Sequence, residues 1–259
     1  MAAGRGHRNA ASRGMQDPAG LIARCLLAAK TAVAPGASVG IGNPLMAVGR
    51  DDMTSATDVV LPVTLFGPGG VPSHVRDEIV ASWRRSAASG LRPDHLQVPF
   101  DPDVDRDGLL VQAALPVLRQ LAADLSGAPV AILLADERGQ VLDRRVPDAS
   151  LSARLDRIFL APGFLYAEDL VGTNGIGTAL VQRSAAAVVG DEHFADALVM
   201  AACAAAPISD PRHGRILGVI GLTSLVEDAG PLMLPLARRA AREIEQRLVD
   251  ATGVSRTRP

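Results

Sequence analysis

Lysine is nearly missing from this chain. Lys30 is the only one, so arginine supplies 25 of the 26 basic residues. Together with the abundant alanine, this reads as coding bias and not as a set of phosphate clamps. Aromatic residues are scarce too, at 3%: Trp83, Tyr166 and five phenylalanines. Binding to single-stranded nucleic acid needs rows of exposed rings, and so few rings argue against it. Two cysteines, Cys25 and Cys203, exclude a disulfide framework and a multi-cysteine zinc site. No run of about 18 apolar residues exists, so no membrane span is expected. The arginine-rich start, Met1 to Arg13, is not followed by an apolar core and cleavage site. The cytoplasm is therefore the expected location. A net charge of −2 disfavours a broadly basic nucleic-acid binder. What remains is ordinary globular composition: 259 residues, 48% hydrophobic and 21% charged, enough for one or two domains.

Along the chain, residues 1–72 read as a largely disordered extension. It is basic at first, passes through helical spacing over 21–33, and is then rich in Pro and Gly. Met46 and Met53 are alternative starts. A helix is predicted from Ser73, its cap, to Ser89, with Asp77 and Glu78 in its first turn. Val75, Ile79, Trp83 and Ala87 form its apolar stripe. Arg76, Arg84 and Arg85 fall on the other side, read mainly as a solvated face and alternatively as a contact to a partner or DNA. Residues 91–107 form a polar connector, so 73–107 is a helix plus connector.

Residues 108–251 carry the folded unit, followed by a tail at 252–259. Leu109–Leu125 has helical spacing, with Pro116 implying a kink or a late start. Val130–Leu134 and Val141–Val146 read as a hairpin turning at Asp136–Gly139. Asp148 caps a helix through Leu151, Leu155 and Ile158. A loop over 161–172 leads into Thr173 and Asn174, caps for the next helix. A strand at Ala186–Val189, a hairpin of Met200–Ile208 with Ile216–Ser224, and a helix at Pro231–Ala251 complete the unit. The first and last of these helices are expected to pack on one sheet face and residues 148–198 on the other, an α+β sandwich with a pocket under the middle loop.

Several stretches resemble a known family. They are Val75–Ser86 with Gly90–Pro93, Asp136–Gly139, Glu168–Leu180 (EDLVGTNGIGTAL), Gly190–Phe194 (GDEHF), Cys203–Pro211 (CAAAPISDP) and Gly218–Ser224. Over about residues 75–250 the chain resembles the GAF sensory domain of bacterial sigma-54-dependent, Fis-type transcriptional activators of the acetoin-operon (AcoR) kind. It is most similar to the actinobacterial branch that lacks the ATPase core. The resemblance implies a GAF-like antiparallel sheet, ligand or partner sensing, and transcriptional control through an attached output. No Walker-type loop is present, because the single lysine lacks it. No recognition-helix pair is visible after residue 200, so direct DNA binding is not expected.

The candidate ligand-binding residues are Tyr166, Glu168, Thr173, Asn174, Thr178, His193 and Cys203. Gly172–Gly177 has a nucleotide-loop form but lacks the preceding strand of a dinucleotide site. Its glycines suit a tight helix entry, and a helix N-terminus can receive an anionic group. His193 has no metal partners at ligand spacing and reads first as a structural imidazole. Cys203 has no nearby resolving cysteine and reads as a small apolar residue, against a methionine-sulfoxide-reductase role. Glu168 and Asp169 are adjacent, which does not make a catalytic pair. The expectation is a non-enzymatic sensor without cofactor or metal. It would bind a small-molecule effector and signal through a homodimer or an output-domain protein. The rival readings are a ligand-free interaction scaffold, a DNA binder using the arginine face, and a sulfoxide reductase.

Overall fold

The computed structural model describes residues 75–251. The expectations for residues 1–72, the Ser73 cap and the 252–259 tail lie outside these residues.

Helix α1 spans Asp77–Ala88, with Asp77 and Glu78 in the first turn where the helix dipole favours carboxylates. Arg76 occupies the cap position and makes no side-chain cap bond. Gly90, at φ 77°, ends the segment as expected. Helix α2 spans Leu109–Asp124 and runs through Pro116 without a break, so the late start anticipated from that proline does not occur.

Strands β1 (Ala131–Asp136) and β2 (Val141–Arg145) form the first hairpin. Gly139 closes its turn at φ 80°. A Cβ there would also lie 2.8 Å from the Ala167 nitrogen, so glycine is needed twice over. Helix α3 (Ala149–Arg157) follows, with the Asp148 carboxylate accepting from the Leu151 amide. A four-residue helix α4 (Glu168–Val171) interrupts the predicted loop and leads into α5 (Gly175–Gln182). Strands β3 (Ala186–Val189), β4 (Ala201–Ser209) and β5 (Ile216–Leu225) precede α6 (Met233–Ala251).

The sheet is antiparallel throughout, in the order β2-β1-β5-β4-β3. Its central strand β5 is buried over nearly its whole length, because both sheet faces are covered. On one face α2 and α6 pack together over Ile132, Leu134, Ala204, Ile220 and Leu222. The apolar stripe of α6, Met233, Ala237, Ala240, Ile244 and Leu248, is buried there at helical spacing. Residues 149–198 cover the other face. Helix α1 lies on that middle segment: Ile79 and Trp83 pack with Val188 and Phe194.

Candidate functional site

Between the sheet and its middle segment lies a narrow cavity of about 20 Å³. That is space for roughly one water molecule. Leu133 of β1, Ile158 and Leu160 after α3, Ile176 of α5 and Leu198 form most of its wall. Four of the seven candidate residues, Tyr166, Asn174, His193 and Cys203, line it together with Thr223 of β5.

Each polar group on this wall is held by a specific bond. The Tyr166 hydroxyl donates to the Ile158 carbonyl, and burial pushes its pKa well above the usual value. The Asn174 amide donates to the carbonyls of Tyr166 (3.0 Å) and Gly172 (2.8 Å), while its oxygen accepts from the Gly177 amide at 2.9 Å. Asn174 thus caps α5, as expected, and ties it to the preceding loop. The His193 ring is 4% exposed, and its Nδ1 lies 2.9 Å from the Gly190 carbonyl. A carbonyl only accepts, so Nδ1 carries the proton. Burial lowers the His193 pKa to about 4, outweighing the Gly190 bond and nearby Glu192. The ring is therefore neutral near pH 7, with Nε2 left as an acceptor. Cys203 Sγ sits 3.5 Å from Thr223 Oγ1, and burial pushes its thiol pKa up. This is the opposite of the activation a nucleophilic thiol needs. Among the described residues no group of three or more His, Cys, Asp or Glu is placed to hold a metal ion.

The other three candidates, Glu168, Thr173 and Thr178, are not brought to the cavity wall. They form a buried polar clamp against α1. The Glu168 carboxylate, 3% exposed, accepts from Ser82 Oγ (2.6 Å), Thr178 Oγ1 (3.2 Å) and Arg85 Nη2 (3.1 Å) and Nε (2.5 Å). Ser82 spends its only hydroxyl proton on that carboxylate. Thr173, whose oxygen is 2.7 Å from Ser82 Oγ, is therefore the donor in their contact. Ser86 Oγ, one turn further on, donates to the Ser82 carbonyl at 2.9 Å. A second attachment lies nearer the N-terminus of α1. The Arg76 guanidinium meets Glu192 at 2.9–3.1 Å and donates to the Ala187 carbonyl at 2.6 Å, while Trp83 Nε1 donates to the Glu192 carbonyl at 2.8 Å.

The solvated-face reading of α1 is corrected on this point. Arg84 is exposed, but Arg76 and Arg85 are ion-paired to the body of the fold. An arginine face for DNA loses two of its three members.

Reading the sequence missed Ser82 and Ser86, both fully buried, although their spacing of four on one helix face was a usable signal. It also missed Arg144. That side chain is 1% exposed, pairs with Asp156 at 2.7 Å and donates to the Leu160 carbonyl at 2.9 Å, fastening the cavity roof to β2. Arg144 stands opposite Leu133 across the β1–β2 ladder, and nothing in its local sequence announces burial.

Residues 53–246 match the family described as MimR, N-terminal domain. The propane 2-monooxygenase operon transcriptional activator MimR of Mycolicibacterium smegmatis is 44% identical over 177 residues, spanning 68% of this chain and 30% of that protein. The acetoin dehydrogenase operon transcriptional activator AcoR of Bacillus subtilis is 31% identical over 186 residues, with the same 68% and 30%. The match to AcoR bears out the acetoin-operon likeness read from the sequence. Among solved structures, the Escherichia coli DhaR(N)–DhaL complex superposes with a TM-score of 0.64 at 24% identity. The match covers 69% of this chain and 63% of that one, and it supports the GAF-like α+β fold. The chain spans about 30% of the length of these two activators. On the match over 53–246 and these relatives, the chain belongs to the family of MimR N-terminal domains, the regulatory domain type of AcoR-like transcriptional activators.

Proposed function

We propose that this chain is a non-enzymatic sensory domain that controls transcription in the cytoplasm by binding a small molecule in the cavity under residues 158–198. Residues 108–251 act as the sensor and 73–107 as the segment it governs. The observation that carries the reading is structural continuity. Thr173 belongs to the α1 clamp, and its neighbour Asn174 lines the cavity. Likewise Glu192 holds Arg76 and Trp83, and its neighbour His193 lines the cavity. A ligand that widens the cavity shifts both segments, and α1 is seated on both. The ligand biases α1 only to the extent that it binds one arrangement better than the other. The output is a partner protein, a second copy or a linked output domain. The name of the Mycolicibacterium relative ties that protein to an operon for hydrocarbon oxidation. This supports small, weakly polar molecules as the effector range to try first.

The small cavity favours a second reading, an interaction scaffold without a ligand. A thermal-shift screen of the full chain separates the two, using small alcohols, diols, carbonyl compounds, organic acids and aromatic acids. A ligand at 100 times its Kd adds about 2.7 kcal/mol. For a domain of this size that is roughly a 5–10 °C rise in Tm. A clear hit supports the sensor. Silence across the panel supports the scaffold.

A further inference from the structure

The cavity wall contains an acceptor that the protein leaves open. His193 Nδ1–H is committed to the Gly190 carbonyl, and no bond to Nε2 is made by the described residues. Yet the ring is 4% exposed and borders the cavity. A buried acceptor without a donor costs about 1–3 kcal/mol, so it rewards whatever supplies one.

The rest of the wall narrows the choice. Tyr166 spends its hydroxyl proton on Ile158, and Asn174 uses its amide on Tyr166, Gly172 and Gly177. Neither has a donor proton free to point at a ligand. No arginine or lysine is among the lining residues, and the remaining wall is apolar apart from the Cys203–Thr223 contact. A carboxylate or phosphate placed there loses its hydration and finds no counter-charge. A carbonyl oxygen facing His193 Nε2 sets two acceptors against each other. A hydroxyl facing it makes a bond.

We propose that the cavity selects a small neutral hydroxyl compound, an alcohol or diol with a short hydrocarbon body, whose O–H donates to His193 Nε2. The inference rests on the sensor reading and names its ligand class. The hydrocarbon body enters by parting Leu160, Ile176 and Leu198, which close the cavity to its present size.

Three probes of matched carbon number test it on the full 259-residue chain: butan-2-ol, butan-2-one and butyrate. Affinity is measured by calorimetry, and the His193 Nε2 nitrogen resonance is followed by NMR. Butan-2-ol is expected to bind about five- to tenfold tighter than butan-2-one, the value of one neutral hydrogen bond. It is expected to move the Nε2 resonance, and butyrate is expected not to bind. In His193→Phe, which keeps a ring but lacks the acceptor, the alcohol falls to the ketone's affinity. The wild-type ranking and the resonance stand independently of that variant's folding.

Equal binding of alcohol and ketone, preference for butyrate, or an unmoved Nε2 resonance overturns the assignment. If all three probes fail while another class in the wider screen binds, the hydroxyl assignment falls and the sensor reading survives. If nothing in either set binds, both fall.

Discussion

Burying His193 as a neutral ring makes the fold acid-sensitive over a definable window. Its pKa in the folded protein is about 4, against 6.5 for a free histidine, with burial as the main cause. Between those values the unfolded chain holds a proton that the folded one does not, so stability rises with pH across the window. The contribution is complete above about pH 6.5 and is lost as pH falls towards 4. A gap of about 2.5 units at 1.36 kcal/mol each gives roughly 3 kcal/mol in all, of which about 2 kcal/mol is gone at pH 5. The groups beside the ring are Glu192, which pulls the pKa up, and Tyr166 and Cys203, which share the cavity wall and are uncharged in this range.

The assay is urea unfolding followed by fluorescence of Trp83, the only tryptophan. It is run at pH 7.5 and pH 5 on the wild type and on His193→Phe. With a urea slope of about 2 kcal/mol/M, the wild-type midpoint should drop by about 1 M more than the variant's between the two pH values. Taking the difference removes carboxylate titrations common to both proteins. It also removes any packing cost of the substitution. Equal losses in the two proteins would refute the burial argument.

The α1 clamp makes an asymmetric prediction. Arg85→Met leaves the buried Glu168 carboxylate without its counter-ion and should destabilise by roughly 2–4 kcal/mol. Glu168→Gln removes the buried charge itself while the partly exposed guanidinium turns to water, so its cost should be smaller, about 1–2 kcal/mol. Urea unfolding of both variants checks the order, and the reverse order would show that Glu168 is not held as an ion. Gly177→Ala drives a Cβ to 2.5 Å from the Glu168 nitrogen and 2.8 Å from the Tyr166 carbonyl, both backbone. About 1–3 kcal/mol should be lost, with faster hydrogen exchange over 166–178. A wild-type Tm in this variant would place the loop elsewhere. Asn174→Ala removes the α5 cap and two loop bonds and should cost about 1–2 kcal/mol, read as a drop of several degrees in Tm.

The hairpin turn at Gly139, the Asp148 and Asn174 caps and the α6 stripe were all legible in the sequence. Each is decided by neighbours within about four residues: a φ that only glycine tolerates, a side-chain oxygen beside free amides, an apolar row repeating at the helical pitch. The short helix α4 was not legible, because four residues are too few to show a period. The candidate site was legible as a set of residues but not as an arrangement. Glu168, Thr173 and Thr178 share their stretch of chain with Tyr166 and Asn174, and the fold then turns the two groups to different tasks.

What the sequence by itself determined was the order of elements, their caps and the likeness to a regulatory domain, since these depend on local backbone preference and on motif. What the tertiary structure alone decided was which charges are paired and which space is empty. Arg85 meets Glu168 from 83 positions away, and Ser82 meets it from 86. The cavity is the gap left by side chains from β1, α5 and β5, which lie far apart along the chain. The partner of a buried carboxylate and the volume of a void are fixed by packing between distant segments, and no periodicity along the chain carries that information.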